Sequence, residues 1–131
     1  FINVLGKRTF MFSDYENHLG RKAYSEMGGC YYAQRSQIAD YLQKQQAQAG
    51  AFVFREVYEG YTPTGVWVCR ELTRKALQST PVTFKTMSEV LQHVHSRTRL
   101  GIPMLRAHMP LLQKNERQRT LGEWYRAAKV L

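Results

Sequence analysis

Two stretches near the middle of the sequence decide the predicted fold: AFVFREVY at residues 51–58 and GVWVC at residues 65–69. Both are rich in β-branched and aromatic residues, which favour strands. The residues between them, 59–64, contain the glycine and proline that are typical of a turn. The pattern therefore predicts a β-hairpin with a wide loop.

A long helix is predicted before this hairpin, within residues 24–48. Tyr31, Ile38 and Leu42 recur at spacings of 7 and 4 with Gln and Lys between them, which is the pattern of an amphipathic helix. The glycine pair at 28–29 is expected to split off its first turn.

Shorter helices are predicted after the hairpin. Residues 71–78 look helical until Pro81 stops them. Residues 86–89, Thr-Met-Ser-Glu, fit a capping box, so a helix is expected over 87–97. A further short helix is expected over 104–112. Together these elements predict an α+β fold, with long and short helices packed on a small antiparallel sheet and a basic helical C-terminal tail.

The 131 residues suffice for one domain. We expect an α+β domain over residues 1–112 and a basic tail over 113–131. Because the chain begins with Phe1 rather than methionine, we expect it to be a fragment of a longer protein. No apolar run approaches the roughly 18 residues of a membrane span, so we expect no membrane association and a cytoplasmic, nucleoid-associated protein.

The charge balance favours a polyanionic partner. The chain has 19 Lys and Arg against 10 Asp and Glu, a net charge of +9. Residues 96–131 alone carry 8 basic and 2 acidic side chains. The 44% hydrophobic and 22% charged content argues against a disordered chain. DNA, or RNA, is therefore the expected partner.

Basic and aromatic residues are interleaved in the segment from Gly20 to Arg35, with Tyr24, Tyr31 and Tyr32, as phosphate contact and base stacking require. Arg97 and Arg99 add a second cluster of cations. The alternative is that Tyr31 is a core residue and the cations form a solvated face. The predicted nucleic-acid ligands are Arg21, Lys22, Arg35, Arg97, Arg99, Arg106, Lys114, Arg117 and Arg119.

The segment near the C-terminus resembles a PCNA-interacting peptide, by which repair and replication proteins bind sliding clamps. Its pattern is Gln118, Leu121, Trp124 and Tyr125. A helical turn would bring the three apolar side chains to one face, where they can fill one pocket. The resemblance implies a PCNA-like clamp as partner. The alternative is a terminal helix that packs these side chains on its own domain.

A longer resemblance covers most of the chain. Residues 14–24 and 28–35, with Arg55-Glu56, Gly65-Val66-Trp67 and Arg70-Glu71, resemble the C-terminal half of the archaeal Nre family. This resemblance implies a role in DNA damage repair and a C-terminal PCNA-interacting peptide. The family's N-terminal half, with its zinc-binding cysteine pairs, has no counterpart here, so no zinc site is expected.

A metal-dependent nuclease would need acidic residues to hold its metal ions. Glu56 and Glu71, with Lys75 nearby, are the candidates for a two-metal nuclease, although their spacing does not fit the usual Asp…Glu-x-Lys arrangement. Ion pairs across the hairpin, Arg55 with Glu71 or Glu56 with Arg70, are the ordinary interpretation.

The histidines and cysteines predict neither a metal site nor a cofactor. His93 and His95 project about 200° apart on a helix, so they cannot easily share one metal ion. Cys30 and Cys69 lie in apolar runs, where reduced buried thiols are expected.

Three functions follow from these patterns. The favoured one is a non-catalytic DNA-binding module for DNA repair that is recruited to a sliding clamp. The second is a basic DNA- or RNA-binding subunit of a mobile-element or CRISPR-type complex. The third is a metal-dependent nuclease domain.

Overall fold

The structure, a computed structural model, describes residues 2–5, 8–17 and 19–118. Its regular structure is mainly helical. The helices are α1 at Gly29–Lys44, α2 at Val66–Gln78, α3 at Met87–His95, α4 at Ile102–His108 and α5 at Pro110–Arg117. Three short strands accompany them: β1 at Ile2–Leu5, β2 at Arg8–Met11 and β3 at Glu56–Val57.

The predicted α+β fold, with helices packed on a small antiparallel sheet, is wrong. Of the predicted hairpin only Glu56–Val57 is a strand, and it pairs in parallel with β1. Residues 66–69, the expected second strand, begin a helix. The short strands make a small mixed sheet in the order β2-β1-β3, and α1 packs mainly against α2 rather than on this sheet.

The stretch from residue 66 is helical because its inward positions recur every four residues. Cys69 is buried, and Thr73 and Leu77 are half-buried on the same side of α2. The Thr73 hydroxyl donates a hydrogen bond to the Cys69 carbonyl at 2.9 Å. Gly65 precedes the first turn with φ 96, a left-handed conformation that favours glycine. The predicted helix at 71–78 is thus the second part of a longer one.

The long helix predicted within residues 24–48 is confirmed as α1, which begins after Gly28 at φ 61. The first turns of α1 and α2 approach closely. A Cβ atom on Gly29 would lie 2.9 Å from Cγ1 of Val66, closer than carbon atoms tolerate. Glycine at position 29 therefore lets the two helices meet.

The predicted capping box is confirmed at the start of α3. The Thr86 Oγ1 atom accepts a hydrogen bond from the Glu89 backbone N–H at 3.3 Å, and the Glu89 carboxylate accepts one from the Thr86 N–H at 3.2 Å. Both backbone donors at the helix start are thereby satisfied.

The single helix predicted over residues 104–112 is wrong, because α4 and α5 replace it. Pro103 and Pro110 each stand in a first turn, where proline costs no helical hydrogen bond. Met109, at φ −122 and ψ 82, separates the two helices. The predicted domain boundary between residues 112 and 113 falls within α5, and the division into domain and tail stays a prediction.

The core of the described residues lies among the C-terminal helices. It consists of Leu91, Leu100, Leu105 and Leu112, with partly buried Met11, Phe54, Met87, Val94, Ile102 and Met109 packed around them. Met11 and Phe54 connect this core to the part of the chain that carries the strands. Among the described residues, no helix is both long and apolar enough to cross a membrane.

Candidate nucleic-acid interface

A carboxylate fixes the segment between β2 and α1. Asp14 accepts two hydrogen bonds from the Arg21 guanidinium, at 2.9 Å and 2.8 Å. It also accepts one from the Ser25 hydroxyl at 2.5 Å and one from the Tyr15 N–H at 2.7 Å. Only 15% of the Asp14 side chain and 16% of the Arg21 side chain are exposed. The bidentate geometry makes this a strong, orienting pair.

The electrostatics of this pair keep both groups charged. The hydrogen bonds from Arg21 hold the pKa of Asp14 at about 2, despite the opposing effect of burial. The hydrogen bond to Asp14 in turn raises the pKa of Arg21. Because a carboxylate already compensates its charge, Arg21 positions the segment more than it attracts a phosphate.

A second carboxylate joins the same segment to α1. Glu16 accepts a hydrogen bond from the Tyr31 hydroxyl at 3.1 Å and one from the Arg35 guanidinium at 2.9 Å. Burial raises the pKa of Tyr31, which keeps the donating hydroxyl protonated. The Arg35 side chain is still 57% exposed, so it can reach a ligand while paired.

Three tyrosine rings pack beside these ion pairs. The Tyr24 and Tyr32 centroids lie 5.0 Å apart, and the Tyr31 ring meets the edge of Tyr32 at 5.3 Å. The Arg21 guanidinium carbon lies 4.7 Å from the Tyr31 centroid. The Tyr32 hydroxyl accepts a hydrogen bond from the Ser25 N–H at 3.1 Å, which orients that ring. These are ordinary aromatic and cation–π separations.

These side chains line an open cleft of about 500 Å³. Its lining includes Glu16, Arg21, Lys22, Tyr24, Tyr32 and Arg35. Lys22 is exposed and forms no ion pair within the described residues. The cleft therefore presents a free ammonium group and a paired but accessible guanidinium beside an aromatic wall.

A larger groove of about 570 Å³ adjoins the cleft, since Glu16 and Arg35 line both. Its other walls include apolar side chains such as Ile38, Leu42 and Phe52. This composition suits apolar contact more than phosphate contact, so the candidate nucleic-acid interface is the cleft.

Among the residues that the structure describes, three of the predicted cations, Arg21, Lys22 and Arg35, lie together in the cleft. The others lie on other elements. Arg97 and Arg99 are exposed in the segment after α3, Arg106 is on α4, and Lys114 and Arg117 are on α5. Arg119 lies outside the described residues. Their role as nucleic-acid ligands stays a prediction.

Two of these separate cations have protein partners. The Arg106 guanidinium forms an ion pair with Glu116 at 2.9 Å, which joins α4 to α5. The Arg99 guanidinium carbon lies 4.7 Å from the centroid of the Tyr58 ring. Both side chains therefore support packing between elements.

The sequence of this chain matches the family model described as "Archaeal Nre, C-terminal" over residues 16–124. The match covers the cleft and all five helices. The chain belongs to the archaeal Nre family. The resemblance noted in the sequence is thereby confirmed, including its assignment to the C-terminal part.

Two Nre relatives from Archaeoglobus fulgidus show how this chain compares with longer family members. It is 36% identical to "DNA repair protein NreB" over 90% of this chain and 30% of that protein. It is 39% identical to "DNA repair protein NreA" over 60% of this chain and 20% of that protein. The Nre chain thus spans less than a third of either relative. No solved structure matches it.

The carboxylates considered for a nuclease have other partners in this Nre chain. Glu56 accepts hydrogen bonds from the Arg99 N–H at 3.0 Å and from the Tyr58 hydroxyl. Glu71 pairs with Arg70 and Arg74 on α2. The predicted pair of Glu56 with Arg70 across a hairpin is wrong, since residues 66–70 form no strand and Arg70 pairs with Glu71 on α2. Within the described residues, no three acidic, histidine or cysteine side chains group to hold a metal ion.

The two cysteines, far apart in sequence, are neighbours between α1 and α2. Cys69 is buried and its sulfur accepts a hydrogen bond from the Arg55 guanidinium at 2.7 Å. Burial, followed by its hydrogen bond with Cys30, raises the pKa of the Cys69 thiol to about 11. Both cysteines are free thiols, as the sequence indicated.

Sequence reasoning missed the residues that organise the cleft. Asp14 and Glu16 were noted within the Nre-like stretch at 14–24, and Ser25 was not considered. These three residues hold Arg21, Arg35 and Met27 in place through hydrogen bonds. The available signal was the two acidic residues at 14 and 16, followed by the two basic residues at 21 and 22.

The predicted clamp-binding residues fall mostly outside the described part of the chain. Gln118 is the exposed residue that ends α5. Leu121, Trp124 and Tyr125 lie outside the described residues.

Proposed function

We propose that this chain is a DNA-binding part of an Nre DNA repair protein and that its cleft contacts the DNA. The observation that carries the proposal is the convergence of Lys22 and Arg35 with Tyr24 and Tyr32 on one concave surface. Cations contact phosphates and aromatic rings contact bases, so the cleft offers both classes of contact.

Two further facts support this proposal. The net charge of +9 attracts a polyanion from a distance, which accelerates association. The relatives from Archaeoglobus fulgidus are named DNA repair proteins. A chain that holds DNA would also be found with the nucleoid.

The test is DNA binding by a charge-matched pair of double variants, measured by fluorescence anisotropy over a range of salt concentrations. Lys22→Glu with Arg35→Gln changes the cleft, and Lys75→Glu with Arg70→Gln makes the same change on α2. The cleft variant should bind more weakly, with the salt dependence reduced by about one for each lost phosphate contact. Equal behaviour of the two variants would contradict the proposal.

We further propose recruitment of this chain to a sliding clamp by its C-terminal segment. The support is the sequence pattern Gln118, Leu121, Trp124 and Tyr125, and a family match that extends to residue 124. Two aromatic side chains and a leucine that enter one pocket are typical of a binding hot spot.

Calorimetric titration of the whole chain into an archaeal clamp tests this recruitment. The variant Trp124→Ala with Tyr125→Ala should lose micromolar binding, since truncating a hot-spot residue costs ~2 kcal/mol or more. Trp67→Ala, which removes an exposed tryptophan from α2, is the matched control and should bind as the unchanged chain does. Binding retained by the double variant would exclude this segment as the anchor.

A further inference from the structure

Most of the positive charge in the cleft is compensated by carboxylates, which bears on whether it can bind double-stranded or single-stranded DNA. Asp14 compensates Arg21 at 2.8 Å and Glu16 shares Arg35 at 2.9 Å. Lys22 is thus the cleft cation with no ion pair within the described residues. The affinity of a protein for duplex DNA depends on many phosphate contacts, because each neutralised phosphate releases counterions. A cleft with so little uncompensated charge is poorly suited to a duplex backbone.

The aromatic side of the cleft provides a surface on which a base can stack. Tyr24 is 70% exposed, although another ring packs against it. Tyr32 lies 5.0 Å from it, and the hydrogen bond from the Ser25 N–H orients Tyr32. Tyr24 is therefore held from one side and open on the other. An exposed, supported ring is the platform on which an unpaired base stacks.

We propose that the cleft binds single-stranded DNA by stacking an unpaired base on Tyr24, with Lys22 and Arg35 at the neighbouring phosphates. This proposal rests on the proposed DNA binding and narrows it to one form of DNA. In a duplex each base face is covered by the next base pair, so Tyr24 has no face to reach.

The first experiment compares a short oligothymidine strand with a duplex of the same length, by fluorescence anisotropy with the full chain. Tyr24→Ala should weaken single-strand binding roughly 5- to 150-fold, the loss of one base–aromatic stack. Duplex binding should not change. Tyr24→Phe keeps the ring and should bind as the unchanged chain does. Tyr41→Ala, which removes an exposed tyrosine from α1 outside the cleft, is the matched control.

The second experiment shows whether the ring acts through a base. Strands with abasic sites throughout keep the phosphates and remove every base. The unchanged chain should lose affinity on the abasic strand by the factor that Tyr24→Ala costs on oligothymidine. Tyr24→Ala should lose no more on the abasic strand, because the stack is already absent. If the two losses multiply instead, Tyr24 does not stack on a base and the proposal fails.

The possible outcomes distinguish failure of the single-strand proposal from failure of the proposed DNA binding. Suppose that Tyr24→Ala binds single strands normally while the variant Lys22→Glu with Arg35→Gln does not. The cleft then binds DNA without stacking, and only the single-strand proposal is refuted. If neither form of DNA is bound, both proposals fall. Should Tyr24→Ala not fold by circular dichroism, Tyr24→Leu removes the ring while keeping apolar bulk, and the same predictions apply to it.

Discussion

Replacing Asp14 by Asn tests the ion pair that holds the cleft together. The substitution keeps the size of the side chain and removes its charge. Asp14 has its pKa lowered from 3.8 to about 2, chiefly by the hydrogen bonds from Arg21. A fall of that size corresponds to about 2 kcal/mol of stability at neutral pH. For a chain of this length, the expected loss in Tm is ~6–12 °C.

The stability that Asp14 contributes depends on pH in a direction that its lowered pKa fixes. The pKa of Asp14 is lower in the folded chain than in the unfolded one, so the stabilisation is present above about pH 4. It is lost as the pH falls from about 4 towards 2, where the carboxyl becomes protonated in the folded chain as well. The difference in stability between the unchanged chain and Asp14→Asn should therefore shrink over that interval.

Urea unfolding followed by circular dichroism, repeated at several pH values, measures both effects. Glu71→Gln is the control, because Glu71 pairs with the exposed side chains of Arg70 and Arg74 on one helix. An exposed pair of this kind should change stability by less than about 0.5 kcal/mol. Equal stability of Asp14→Asn and the unchanged chain at pH 7 would refute the reasoning, as would a difference that does not vary with pH.

Three further substitutions test the packing of the helices by the same unfolding measurement. Gly29→Ala places a Cβ atom 2.9 Å from Val66 and should lower the free energy of unfolding by ~1–3 kcal/mol. Adding Val66→Ala should restore part of that stability. If it does not, the contact with Val66 is not the cause of the loss. Thr86→Ala removes the cap of α3 and should cost ~1 kcal/mol, whereas Thr86→Ser should cost little. Leu105→Ala empties a fully buried position and should cost ~2–5 kcal/mol; a cost below 1 kcal/mol would contradict its place in the core.

The elements that were predicted correctly depend on neighbours in sequence. The capping box needs only Thr86 and Glu89, three residues apart, and the start of α1 follows from the glycine pair. The apolar run at 66–69 is ambiguous when taken alone, because four apolar residues fit a buried strand or a helix equally well. The period of four that marks a helix is complete only with Thr73 and Leu77, and α2 packs against α1, which lies more than twenty residues earlier.

The candidate site was predicted in composition but not in arrangement. Lys22, Arg35 and the tyrosines were identified from their types and their interleaving. What the sequence could not give was the pairing of Asp14 with Arg21 and of Glu16 with Arg35, which requires the segment before α1 to fold back. That pairing changes the expected chemistry, since it leaves little free charge in the cleft.

The pairing of β1 with β3 also has a consequence for synthesis on the ribosome. Ile2 pairs with Glu56, so one edge of β1 stays open until the chain has grown past α1. At 5–20 residues per second this delay lasts ~3–10 s. During that time α1 can form from local contacts, while this edge of β1 still lacks β3 as its partner. The small sheet can therefore close only after α1 has been synthesised, and α1 does not need it in order to form.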